Sequence, residues 1–137
     1  MKIGLLGLPN SGKTTIFNAL TRSDAEVAAY ANNKAEPNIA VVEVGDERVT
    51  RLSRLYTPKK TTYATIEIVD FPGFSEGSAR EGGFSSVQMN LVRNLDAVAL
   101  VSRNFTDDLM GDPDLLSDID IVDTEFILSD MIIVENR

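Results

Sequence analysis

Apolar and polar positions along this 137-residue chain keep changing rhythm, and the changes lay out strands alternating with helices. Lys2 to Leu6 is a short apolar run bounded by Gly7, the pattern of a buried strand. Thr14 to Arg22 turns to helical spacing, with Ile16, Phe17 and Leu20 on one face. Ser23 to Asn38 has no clean period, holds Asn32, Asn33 and Pro37, and reads as a loop. Ile39 to Val44 is β-branched and ends at Gly45, which predicts a strand. Asp46 is placed to cap a helix running to about Tyr56, with Val49, Leu52 and Leu55 as its apolar stripe, and Pro58 stops it.

The second half repeats the alternation. From Thr61 to Asp70, Tyr63, Thr65, Glu67 and Val69 alternate with Ala64, Ile66 and Ile68, a strand pattern. Phe71 to Gly83 carries Pro72 and several glycines and reads as a mobile loop. A helix from Ser85 to Asn94 leads to a strand from Ala97 to Ser102, and Asn104 to Pro113 is polar loop. Asp118 to Val134 returns to helical spacing through Ile119, Val122, Phe126, Ile127 and Ile133. Such an order predicts an α/β fold of three αβα layers: a mostly parallel sheet with helices on both faces. With two to four strands in view, the sheet is thin for that class.

The chemistry is concentrated at the first strand–helix junction. Gly7-Leu8-Pro9-Asn10-Ser11-Gly12-Lys13-Thr14 is a complete G-x-x-x-x-G-K-[ST]. Its glycines let successive backbone N–H groups of Asn10, Ser11 and Gly12 turn toward one anion, and the helix that follows aims its positive end at the same place. Lys13 then suits the β- and γ-phosphates of a nucleoside triphosphate and is the candidate catalytic group; Thr14 suits Mg²⁺ and Thr15 the α-phosphate. The bland alternative is a glycine-rich turn arising by chance, but the strand before it and the helix after it are what the motif requires. A second signal is Asp70-Phe71-Pro72-Gly73, a D-x-x-G. Asp70 closes an apolar strand and so projects from the carboxyl edge of the sheet, where it suits Mg²⁺ through a water. Gly73 offers a backbone N–H to the γ-phosphate. Alone, D-x-x-G is a commonplace turn; its place roughly sixty residues after the first motif gives it weight.

Composition narrows the chemistry further. Cysteine and histidine are absent, which excludes disulfides, thiolate metal sites and the commonest general base. What remains is Lys, Ser/Thr, Asp/Glu, backbone amides and a hard metal ion. The formal net charge of −8 argues against direct nucleic-acid binding by this segment. No run approaches the roughly 18 apolar residues of a membrane span, and MKIGLLGLP is too short and broken for a signal peptide, so the expected location is cytoplasmic.

The motifs together resemble the YchF / Obg-like ATPase family, a branch of the translation-factor-related P-loop GTPases. The carrying residues are GLPNSGKTTIFNALT at the start, Glu36-Pro37-Asn38, the strand that ends in DFPG, Val101-Ser102-Arg103-Asn104-Phe105, and Asp118-Ile119-Asp120 through Thr124-Glu125. The resemblance implies that residues 1–137 are the N-terminal part of a nucleotide-binding domain. In it, residues 118–137 lead toward a helical insertion, and the base-reading residues lie beyond. It further implies Mg²⁺-dependent binding of ATP or GTP, slow hydrolysis as a conformational switch, and a link to the ribosome through other domains. Two departures stand out. Lys34 stands where the family supplies a threonine to the metal, and a charged lysine is no Mg²⁺ ligand. Phe74 follows D-x-x-G where many GTPases carry a water-orienting glutamine, although a hydrophobic residue there agrees with this family. Glu76, Arg80 and Glu81 share that loop without an assignable role. A nucleotide-holding module that does not hydrolyse, and a P-loop kinase, are the alternatives; the kinase lacks an arginine-rich lid.

Overall fold

A computed structural model describes residues 1–22, 37–73, 86–106 and 111–135, so most of the two loops expected at 23–38 and 71–83 lies outside the described residues. In chain order these form β1 (Lys2–Leu6), α1 (Lys13–Thr21), β2 (Asn38–Val44), α2 (Glu47–Tyr56), β3 (Ala64–Asp70), α3 (Ser86–Arg93), β4 (Ala97–Leu100) and α4 (Leu115–Glu135). The four strands make one sheet in the order β2-β3-β1-β4. β1 runs parallel to both neighbours, with Leu5 opposite Asp70 on one side and opposite Ala99 on the other. β2 alone is antiparallel, and its first residue, Asn38, lies opposite Asp70, the last of β3. The expected three-layer α/β architecture is what is found.

Alternation along the central strands divides the core in two. Leu6, Val69 and Phe71 face one side of the sheet, where Val92 of α3 and Val122 of α4 join them, with Leu8, Leu95 and Phe126 packed around. Leu5 and Ile68 face the other side, where they meet Phe17 of α1 and Val101. Phe17, Phe71, Leu6 and Val69 are the largest fully buried side chains. Burying each contributes about 1.5–3 kcal/mol, so these four positions supply a substantial part of what holds the sheet to its helices.

Two helices depart from the sequence expectation. In α1 only Phe17 of the expected stripe is buried; Ile16 and Leu20 are 41% and 50% exposed. In α2 no residue is buried, and Leu52 and Leu55 face outward. The helix is instead fastened by polar contacts. Thr50 Oγ1 and the Tyr63 hydroxyl are 2.9 Å apart, and Ser53 and Thr61 pair through their hydroxyls. These bonds tie the helix to the segment before β3 by its polar side. They also occupy Thr61 and Tyr63, and β3 begins at Ala64, where pairing with Val44 starts, three residues later than the alternation suggests. The Asp46 cap is present: its Oδ1 accepts from the Arg48 N–H at 2.8 Å. α4 starts at Leu115, earlier than the spacing predicts, because Asp114 Oδ1 accepts from the Ser117 N–H at 3.1 Å. Among its expected apolar positions Val122 is buried, whereas Ile127 is 60% exposed.

Candidate functional site

The carboxyl ends of β1 and β3 lie side by side, and that placement alone brings the two sequence motifs together. Backbone bonding continues past the strands: the Phe71 N–H donates to Leu5 O at 3.3 Å, and the Val101 N–H to Leu6 O at 2.8 Å. Gly7 then passes so close to Val101 O that any Cβ would collide with that carbonyl. Only glycine permits this approach, and from it the chain turns through Pro9 and Asn10 into α1. Asn10 and Gly12 have positive φ, 60° and 92°. Gly12 caps α1 without any side-chain bond, and the first turn carries no acidic residue. The helix's first N–H groups and its positive end are therefore directed outward at the carboxyl edge, the arrangement that favours an anion.

Lys13 reaches back over this loop. Its Nζ donates to Gly7 O at 3.0 Å and Leu8 O at 2.7 Å, and the side chain is buried. Burial pushes its ammonium down from 10.5 to about 8, and the opposite pull of the Asp70 carboxylate does not restore it. A cation kept this far from water would gain from contact with an anion. Gly73 closes the site from the other motif: a Cβ on it would lie 2.8 Å from Pro9 Cα and 3.1 Å from Lys13 Nζ.

Thr14 and Asp70 complete the centre. The Thr14 hydroxyl donates to Asp70 Oδ2 at 2.8 Å, which leaves the lone pairs of Thr14 Oγ1 for another partner. Asp70 is 3% exposed, and its Oδ1 is buried with no hydrogen-bond partner among the described residues. An ionised carboxylate oxygen so placed calls for a donor or a cation. One hydroxyl and one carboxylate, both hard oxygen donors, fit Mg²⁺, which takes few protein ligands beside water and phosphate. Ser11 Oγ and Ser102 Oγ are likewise buried without a partner among the described residues.

Of the residues singled out in the sequence, the structure brings Lys13, Thr14, Asp70 and Gly73 together, with Ser11 buried and Gly12 half-buried beneath them. Asn10 and Thr15 follow the loop at exposed positions. Lys34, Phe74, Glu76, Arg80 and Glu81 lie outside the described residues. One participant was not foreseen: Asn38 Nδ2 donates to Asp70 Oδ2 at 3.4 Å. The sequence marked Asn38 only as part of Glu36-Pro37-Asn38; the antiparallel register of β2 is what carries it to the carboxylate.

A model of the family described as 50S ribosome-binding GTPase matches residues 2–137. The chain belongs to that family. It is 39% identical over 138 residues to the ribosome-binding ATPase YchF of Bacillus subtilis, a match over 98% of this chain and 38% of that relative. The ribosome-binding ATPase YchF of Escherichia coli O157:H7 is 34% identical over 134 residues, covering 95% of this chain and 37% of the relative. Among solved structures, the Schizosaccharomyces pombe YchF GTPase superposes with a TM-score of 0.70 at 33% identity, over 99% of this chain and 37% of that one. The resemblance to YchF read from the motifs therefore stands. An NFeoB structure from S. thermophilus bound to GDP.AlF4- shares the fold, with a TM-score of 0.51 at 23% identity. The chain thus spans under two fifths of the length of the YchF relatives it matches. No helix among the described residues is long and apolar enough to cross a membrane.

Proposed function

We propose that this chain binds a purine nucleoside triphosphate, ATP or GTP, with Mg²⁺, and supports its slow hydrolysis as a conformational switch linked to the ribosome. The observation that carries the reading is the convergence of Lys13, Thr14, Asp70 and Gly73 on one point before the open N-terminus of α1. Membership of a GTPase family and likeness to proteins named ribosome-binding ATPases support it. On this reading the protein works in the cytoplasm and reaches the ribosome through other parts of the molecule, and residues 118–137 lead toward a helical insertion.

Each residue has a role in that reading. Backbone N–H groups from Asn10 to Gly12 and the first turn of α1 receive the phosphates, with Thr15 beside the α-phosphate. Lys13 neutralises charge between the β- and γ-phosphates, and its preset position means no reorganisation is needed as charge moves to the leaving oxygen. Thr14 Oγ1 would hold Mg²⁺ directly and Asp70 through water; when bound, that ion neutralises phosphate charge. The Gly73 N–H receives the γ-phosphate, and its loss on hydrolysis releases the segment that follows.

The test is calorimetric titration of the protein with ATP and with GTP, each with and without Mg²⁺, followed by single-turnover hydrolysis. Binding of at least one nucleotide that weakens when Mg²⁺ is removed is expected. Failure to bind either would sink the proposal, and binding without any turnover would reduce it to a nucleotide-holding module.

A further inference from the structure

The motif Glu36-Pro37-Asn38 has no part in the phosphate chemistry above, yet its last residue ends against the centre of the site. Asn38 opens β2 and lies directly opposite Asp70 in the antiparallel pairing. Its side-chain amide points to the same Oδ2 that accepts from Thr14: Nδ2 to Oδ2 is 3.4 Å, and Thr14 Oγ1 to Oδ2 is 2.8 Å. Two donors from two different elements thus converge on one oxygen of the carboxylate, and its other oxygen, Oδ1, is buried without a partner among the described residues.

Geometry gives this pairing a consequence. A carboxylate turns about its Cβ–Cγ bond with a broad, roughly two-fold preference, so one donor on one oxygen does not fix its plane. A second donor approaching from across the sheet does. We propose that Asn38 is a positioning residue for Mg²⁺: its amide holds Oδ2 of Asp70 beside the Thr14 hydroxyl and so fixes the plane of the carboxylate that would meet the metal's water shell. Second-sphere partners of this kind orient ligands that would otherwise rotate. Because Asn38 is the first residue of β2, the same bond ties the start of that strand to the metal carboxylate. The inference rests on the nucleotide-and-Mg²⁺ reading of the site.

The experiment titrates Mg²⁺ into protein mixed with N-methylanthraniloyl-ATP or N-methylanthraniloyl-GTP and follows fluorescence, for wild type, Asn38→Ala and Asn38→Gln. Asn38→Ala should raise the Mg²⁺ concentration at half-effect by about 3- to 10-fold, the low end expected for a long second-sphere bond. Nucleotide affinity in EDTA and the thermal midpoint should stay near wild type, and Asn38→Gln, which keeps the amide, should recover part of the loss. An unchanged half-effect concentration in Asn38→Ala overturns the proposal. So does a parallel fall in EDTA affinity and thermal midpoint, which marks a merely structural role. If wild type itself shows no Mg²⁺-dependent signal, the nucleotide reading fails and this inference with it.

Discussion

Thr14 and Asp70, 56 positions apart in the chain, share a 2.8 Å hydrogen bond across the carboxyl edge of the sheet. The bond sets Oδ2 of the aspartate and the hydroxyl oxygen of the threonine side by side, so the two motifs act as one unit. Their substitutions should therefore be non-additive. Asp70→Ala and Thr14→Ala are each expected to weaken Mg²⁺-dependent nucleotide binding by about 10- to 100-fold, and the double variant by little more than either alone. The measurement is a double-mutant cycle on Mg²⁺-dependent affinity. Strict additivity would show that the two side chains act independently.

Lys13 gives a pH prediction whose sign follows from burial. Its ammonium titrates near 8 in the folded protein and near 10.5 when free. Below pH 8 both states keep the proton, and the fold carries the full cost of the buried charge. Between about 8 and 10.5 the unfolded chain holds more protons, so this residue makes stability rise with pH. The nucleotide-free protein should gain denaturant resistance across that window relative to Lys13→Met, and the difference should be flat below it. Parallel profiles would contradict the assignment.

The same lysine should be indispensable to the ligand. Lys13→Ala is expected to lower triphosphate affinity by about 100-fold or more, since a charge-assisted contact to two phosphates is lost. Titration with ATP and GTP in Mg²⁺ reads the effect. Mg²⁺-dependent binding retained at wild-type strength would remove the phosphate-loop assignment.

Gly73 tests how closely the second motif must approach. A methyl group there would stand 2.8 Å from both the N and Cα of Pro9, which are backbone atoms with nowhere to yield. Gly73→Ala should push the two loops apart at a cost of about 1–3 kcal/mol in triphosphate binding. Diphosphate binding should change much less, because only the γ-phosphate meets Gly73 in the proposed function. Equal losses for both nucleotides would point to a collapsed loop instead.

Much of this was legible in the chain because the decisive signals are local. The phosphate loop needs a strand, tight glycines and a helix start within a dozen or so residues, and Asp70 announces itself at the end of an apolar run. What the sequence hid depends on partners far away. The stripe of Val49, Leu52 and Leu55 has the right spacing to be buried, yet α2 is held to the segment before β3 by the hydroxyls of Thr50 and Ser53, and Leu52 and Leu55 remain exposed. Asn38 could not be placed beside Asp70 without the direction and register of β2, and an antiparallel strand in a mostly parallel sheet is not announced by composition. The length of α4 turned on Asp114, whose capping role shows only once the helix is seen to start at Leu115.

The alternation at the end of β3 has one more consequence. Asp70 looks into the site while its neighbour Phe71, 1% exposed, is sunk among Leu6, Val69, Val92 and Val122 on the far side of the sheet. The aromatic ring is thus a rivet set one residue behind the working carboxylate. It anchors the backbone between Asp70 and Pro72, so a displacement of Pro72 or Gly73 meets a packed side chain before it reaches the residue that bears the carboxylate.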